Sequence, residues 1–115
     1  VEAKYNQTID LDELFRRPAS RDDGTPRRRV LEMGFGTGEC LATLAEADPE
    51  ADFLGIELHK ASIAASFNAF HAKGLHNVRV CRHDAALVLQ DHLAGALFAE
   101  VYVLFPDPWP GAVNA

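Results

Sequence analysis

Residues 30–39 read VLEMGFGTGE. Val30 to Met33 has the length of a short strand, and glycine then occupies every second position at Gly34, Gly36 and Gly38 before Leu41, Leu44 and Ala45 follow at helical spacing. Glycine lets a backbone turn sharply and leaves no Cβ between the chain and anything that approaches it. The stretch therefore reads as strand, tight turn and helix, the opening unit of an α/β sheet.

The alternation continues downstream. Phe53 to Ile56, Val78 to Cys81 and Val101 to Phe105 have strand length, and Ile63, Phe67 and Phe70 mark an apolar helical face closed by Gly74. A weaker helix is expected from Ala85 to about His92. Strands that alternate with helices and lie parallel need right-handed crossovers, so the pattern predicts an open, doubly wound, Rossmann-like parallel sheet. Upstream, residues 16–29 read RRPASRDDGTPRRR, a charged stretch with proline and glycine but no apolar period, and are expected as an exposed loop. Ile9, Leu11, Leu14 and Phe15 are expected to form one amphipathic turn that docks on the body. The chain thus divides into an N-terminal segment and basic loop, 1–29, and a body, 30–115.

With 115 residues, 48% of them hydrophobic, the chain is one compact domain or part of one, and neither a collagen-like nor a disordered composition fits. Its apolar runs are too short to span a bilayer and its start lacks the pattern of a secretion signal, which points to the cytoplasm. Cys40 and Cys81 suggest neither a disulfide framework nor a thiolate metal site, and His59, His71, His76, His83 and His92 are scattered, so no metal is expected. Residues 1–30 carry seven basic and six acidic side chains, residues 31–115 four and eleven. The body repels polyanions. A nucleic-acid partner would have to be held by the arginines of the N-terminal segment, whose plainer reading is a solvated linker, or by basic surface outside this chain.

In doubly wound sheets, ligands bind beyond the carboxyl ends of the strands. Glu32 lies near the end of the first strand, Glu57 ends the second, and Asp84 follows the third. The dinucleotide pattern would require glycine where Glu39 stands, and a carboxylate there repels a pyrophosphate. S-adenosylmethionine, with a sulfonium and an ammonium and no phosphate, suits an acidic glycine loop better. Glu32 could face its ammonium end, Glu57 could accept from both ribose hydroxyls, and Asp84 from an adenine amino group. Asp84 reads equally as the N-cap of the next helix. Beyond the fourth strand, Pro106 and Pro108 restrict Asp107, and Trp109 offers a flat face; taken alone, that segment reads as a surface turn.

Together, LEMGFGTGE (31–39), FLGIELHK (53–60), VRVCRHDA (78–85) and LFPDPWP (104–110) resemble the tRNA (guanine-N7)-methyltransferase family of class I S-adenosylmethionine-dependent enzymes. The resemblance implies the class I methyltransferase fold and methylation of guanine N7 in the variable loop of tRNA. It also implies donor binding by Glu32, Gly34, Gly36, Glu57, Asp84 and Asp107, with Asp107 as the catalytic residue. The family pattern continues with a lysine where this chain has Gly111, and then with further strands. The chain therefore reads as a fragment whose C-terminal strands are missing, inactive alone, with a sheet order beginning 3-2-1-4 and the fourth strand's apolar edge bare. The rival readings are a methyltransferase acting on small molecules and a noncatalytic S-adenosylmethionine-binding module.

Overall fold

Successive side chains of a strand point to opposite faces, and here both faces are apolar. The computed structural model describes residues 10–83, 98 and 100–103. In it β1 (Arg29–Met33), β2 (Asp52–Glu57), β3 (Val78–Arg82) and β4 (Glu100–Val103) form one sheet in the order β3-β2-β1-β4. All three pairings are parallel. The expected doubly wound order is therefore present, and β2 is buried over all six residues. The expected fourth strand extended to Phe105; residues beyond Val103, like the expected helix at 85–92 and Ile9, lie outside the described residues.

Register aligns Tyr102, Glu32, Gly55 and Val80 across the sheet. On their face, Val30 and Phe53 pack with α2 (Glu39–Ala47) and α3 (Lys60–Ala72), which contribute Leu41, Ala42, Ala45 and Phe70. On the other face, Leu31, Leu54, Ile56 and Cys81 pack against Leu11 and Phe15 of the short helix α1 (Leu11–Phe15). Asp10 caps α1 by accepting from the N–H groups of Asp12 and Glu13, and Arg16, at φ 55°, turns the chain out of it. The amphipathic turn expected from the apolar spacing is this helix. At the other end of the fold, α3 closes as expected at Gly74 (φ 63°), with Gly74 N–H donating to His71 O at 3.0 Å and Leu75 N–H to Phe70 O at 3.1 Å.

Two expectations need correcting. Phe67, assigned to the buried face of α3, is 51% exposed, and the fully buried residue is Ser66. The reason is close approach: a Cβ on Gly38 would stand 2.7 Å from Ser66 Cβ, so a small side chain must face the glycine loop. The arginines of the N-terminal segment are not simply solvated. Residues 18–26 are exposed, but Asp52, fully buried, accepts from Arg17 Nε at 2.6 Å and Arg29 Nε at 3.0 Å. Arg28 binds Glu100 at 2.6 Å and Asp48 at 3.1 Å, and Arg27 donates to Glu50 O at 2.8 Å. These guanidiniums close the amino end of the sheet. Val101 on β4 is half exposed, in keeping with the expected bare edge.

Candidate functional site

At the carboxyl end of the sheet the loop 34–38 carries the chain from β1 into α2. Gly34, Gly36 and Gly38 have φ of 70°, 61° and 79°, left-handed values that other residues adopt only at a cost. Gly34 N–H donates to Ile56 O at 2.7 Å and Gly38 N–H to Phe35 O at 3.0 Å. Gly38 caps α2, where Ser66 and Phe70 crowd it. Above Gly36 the space is open: among the described residues a Cβ there would meet nothing within 4 Å. Glu39 is exposed in the first turn of α2, at the place from which a phosphate would be repelled.

Glu32 lies under this loop. Its side chain is fully buried, and among the described residues neither carboxylate oxygen has a hydrogen-bond partner. Burial pushes its pKa up to about 7. An ionised carboxylate taken out of water without a partner is strongly disfavoured, so this group waits either for a proton or for a cation. Cys40, in the first turn of α2, feels it: partial burial and then the Glu32 charge raise the thiol's pKa.

Glu57 is the opposite case. Oε1 accepts from Gly36 N–H at 3.0 Å, and Oε2 accepts from Leu58 N–H at 2.7 Å and His59 N–H at 3.1 Å. Glu57 thereby bridges the loop after β1 and the turn after β2. The third loop is attached through His83 N–H to Glu57 O at 3.1 Å and Arg82 Nε to Leu58 O at 3.2 Å. Glu32, Gly34 and Gly36, read from the sequence as one stretch, and Glu57, read apart from them, lie at adjacent strand ends. Asp84 and Asp107 lie outside the described residues.

Two residues went unnoticed in the sequence, Ser66 at this end and Asn77 at the opposite, amino end of the sheet. Ser66 admits the glycine loop, and its signal was available as the small residues Ser62, Ser66 and Ala69 at helical spacing. Buried Asn77 donates its Nδ2 to the carbonyls of Ala45, Asp48 and Ala51 at 3.0 to 3.1 Å, fastening the end of α2 to β2. Nothing in the local sequence announces those three partners. Among the described residues no group of three His, Cys, Asp or Glu side chains could hold a metal ion, and no helix is long and apolar enough to cross a membrane.

Residues 26–113 match the model of a family described as "Putative methyltransferase". The chain is 47% identical over 104 residues to a tRNA (guanine-N(7)-)-methyltransferase of Leifsonia xyli subsp. xyli, covering 90% of the chain and 42% of that relative. It is 41% identical over 110 residues to the enzyme of the same name from Halorhodospira halophila, covering 96% and 44%. The chain thus spans less than half the length of these curated relatives. Among solved structures, an antibiotic-related methyltransferase superposes with a TM-score of 0.61 at 21% identity, covering 96% of this chain and 54% of that one, a likeness of fold.

Proposed function

The chain belongs to this methyltransferase family, and on that premise we propose that it forms the donor-binding part of a tRNA (guanine-N7)-methyltransferase. The observation that carries the donor assignment is the buried Glu32 carboxylate without a partner. It fits the ammonium end of S-adenosylmethionine, while Glu57 at the neighbouring strand end fits the ribose diol and the open space over Gly36 leaves room for the ligand against bare backbone. Asp84 completes the set at the adenine. Residues 30–115 are the donor-binding body and residues 1–29 an N-terminal segment, of which the described part, 10–29, is braced against it. A cytoplasmic location and tRNA as partner follow from the same reading, supported by the names of the relatives.

When bound, S-adenosylmethionine supplies an electrophilic methyl group on a sulfonium sulfur. Guanine N7 has a free lone pair and no proton, so this protein needs no general base. Its task is to align the two reactants. Methyl transfer would leave positive charge on the purine, which the carboxylate of Asp107 would stabilise, or Asp107 would orient the base through its N–H groups. The acidic body offers little to an RNA backbone.

The test is methyl transfer from labelled S-adenosylmethionine to tRNA, alongside calorimetry of donor binding. The 115-residue chain is expected to bind S-adenosylhomocysteine without turnover, and a protein of the relatives' length to methylate guanine N7. Transfer to small molecules but not to tRNA would overturn the substrate, and failure of both proteins to bind S-adenosylhomocysteine would overturn the donor site.

A further inference from the structure

The three N–H groups on the Glu57 carboxylate are not equivalent. Leu58 and His59 follow Glu57 directly, so their bonds to Oε2 at 2.7 and 3.1 Å belong to a single turn. Gly36 belongs to a different loop, 21 residues upstream, and its 3.0 Å bond to Oε1 joins the two. The bonds of the Gly34 and Gly38 N–H groups go to backbone carbonyls. Among the described residues, Glu57 is the one side chain shown to accept from the glycine loop. Gly36 has φ 61° and, among the described residues, no atom within 4 Å of its Cβ position, so packing by them does not hold the peptide in place.

Resting on the donor reading above, we infer that Glu57 latches the glycine loop in the ligand-free chain and passes Oε1 from Gly36 N–H to the donor's ribose diol on binding. A carboxylate offers about four acceptor positions, and three are taken here. A vicinal diol brings two donors. One N–H must therefore leave, and the Gly36 bond is the one not held by chain connectivity. Glu57 is then a positioning residue for the loop as well as a ligand, and donor arrival frees the Gly36 N–H.

Amide exchange measured by NMR tests this on the ligand-free chain. Glutamine at 57 has a single acceptor oxygen and its NH₂ repels N–H donors, so Glu57→Gln cannot serve both sets. In Glu57→Gln, and in Glu57→Ala if it folds, Gly36 is expected to exchange about tenfold faster, the factor for one lost hydrogen bond. Gly36 exchange unchanged in a folded variant would overturn the latch. In the unsubstituted chain saturated with S-adenosylhomocysteine, the Gly36 amide resonance is expected to shift while Leu58 and His59 stay in place. A Gly36 resonance that does not move in the bound chain would overturn the exchange of partners. Absence of binding would instead overturn the donor reading, and the ligand-free comparison would still decide the latch.

Discussion

Glu32 and Gly55 are register partners on β1 and β2, and two apolar side chains cover the place where Gly55 lacks one. Phe35 Cδ2 and Leu41 Cδ2 stand 2.6 and 2.7 Å from where a Cβ at 55 would be. A buried carboxylate beside such a surface weakens the ligand-free fold. Its pKa rises from an ordinary 4.5 to about 7, so the folded state binds the proton more tightly than the unfolded state does. Stability falls as pH rises through that window. Glu32→Gln should therefore stabilise the ligand-free chain at pH 8 by on the order of 3 kcal/mol, and have little effect near pH 4. Urea unfolding at the two pH values measures the difference. A variant less stable than its parent at pH 8 would mean that the ionised carboxylate has a stabilising partner.

The same group sets how donor binding depends on acidity. A cationic ammonium binds the ionised form, so affinity for S-adenosylhomocysteine should be level above pH 7 and fall about tenfold per unit below it. Calorimetry between pH 5.5 and 8 reads this directly, and Glu32→Gln should bind weakly at every pH. A flat profile for the parent would remove Glu32 from the ammonium.

At the amino end of the sheet, Asp52 is fully buried and holds both Arg17 and Arg29. Removing it takes the buried carboxylate from both guanidiniums and leaves Arg29 with Asp12, and Arg17 with the carbonyls of Pro49 and Ala51. Asp52→Ala should cost about 3 to 5 kcal/mol, the usual effect of breaking a buried pair, and should release residues 10–28 to proteolysis before the sheet unfolds. Loss of less than about 1 kcal/mol, the range of exposed pairs, would reduce the pair to an ordinary surface contact.

Gly36 and Gly38 share left-handed backbone but differ in surroundings. Alanine at either position carries the left-handed strain of roughly 1–2 kcal/mol, and at Gly38 it also meets Ser66 Cβ at 2.7 Å. Gly38→Ala should therefore lower the melting temperature clearly more than Gly36→Ala. Gly36→Ala should act mainly on S-adenosylhomocysteine affinity, because its methyl enters the open space. Equal melting temperatures would contradict the packing of α3 on the loop.

For the transfer step, Asp107→Ala in a protein of the relatives' length should reduce the rate of tRNA methylation far more than donor affinity. Single-turnover rates and calorimetry separate the two. Equal losses would make Asp107 a donor ligand only.

The strands, their order and the placement of Glu32 and Glu57 near neighbouring strand ends were legible because period and glycine placement are local signals, and the ends of parallel strands lie on one edge of a doubly wound sheet. What escaped depends on contacts between distant residues. Arg28 finds Glu100, 72 positions away, and Arg29 finds Asp52, so arginines that looked like a solvated run are closing groups. A hint was there, since Arg29, Asp52 and Glu100 each open a strand. The rotation of α3 that leaves Phe67 outside is set by the glycine loop it touches, which spacing within the helix does not encode.

The closing arginines also give the molecule a direction. Among the described residues, one pole of the sheet has its opposite charges matched internally, whereas the other keeps an acid without a hydrogen-bond partner. A small positively charged group that reaches the glycine turn therefore meets a carboxylate still open to it, and a phosphate-rich chain needs help from elsewhere to come near.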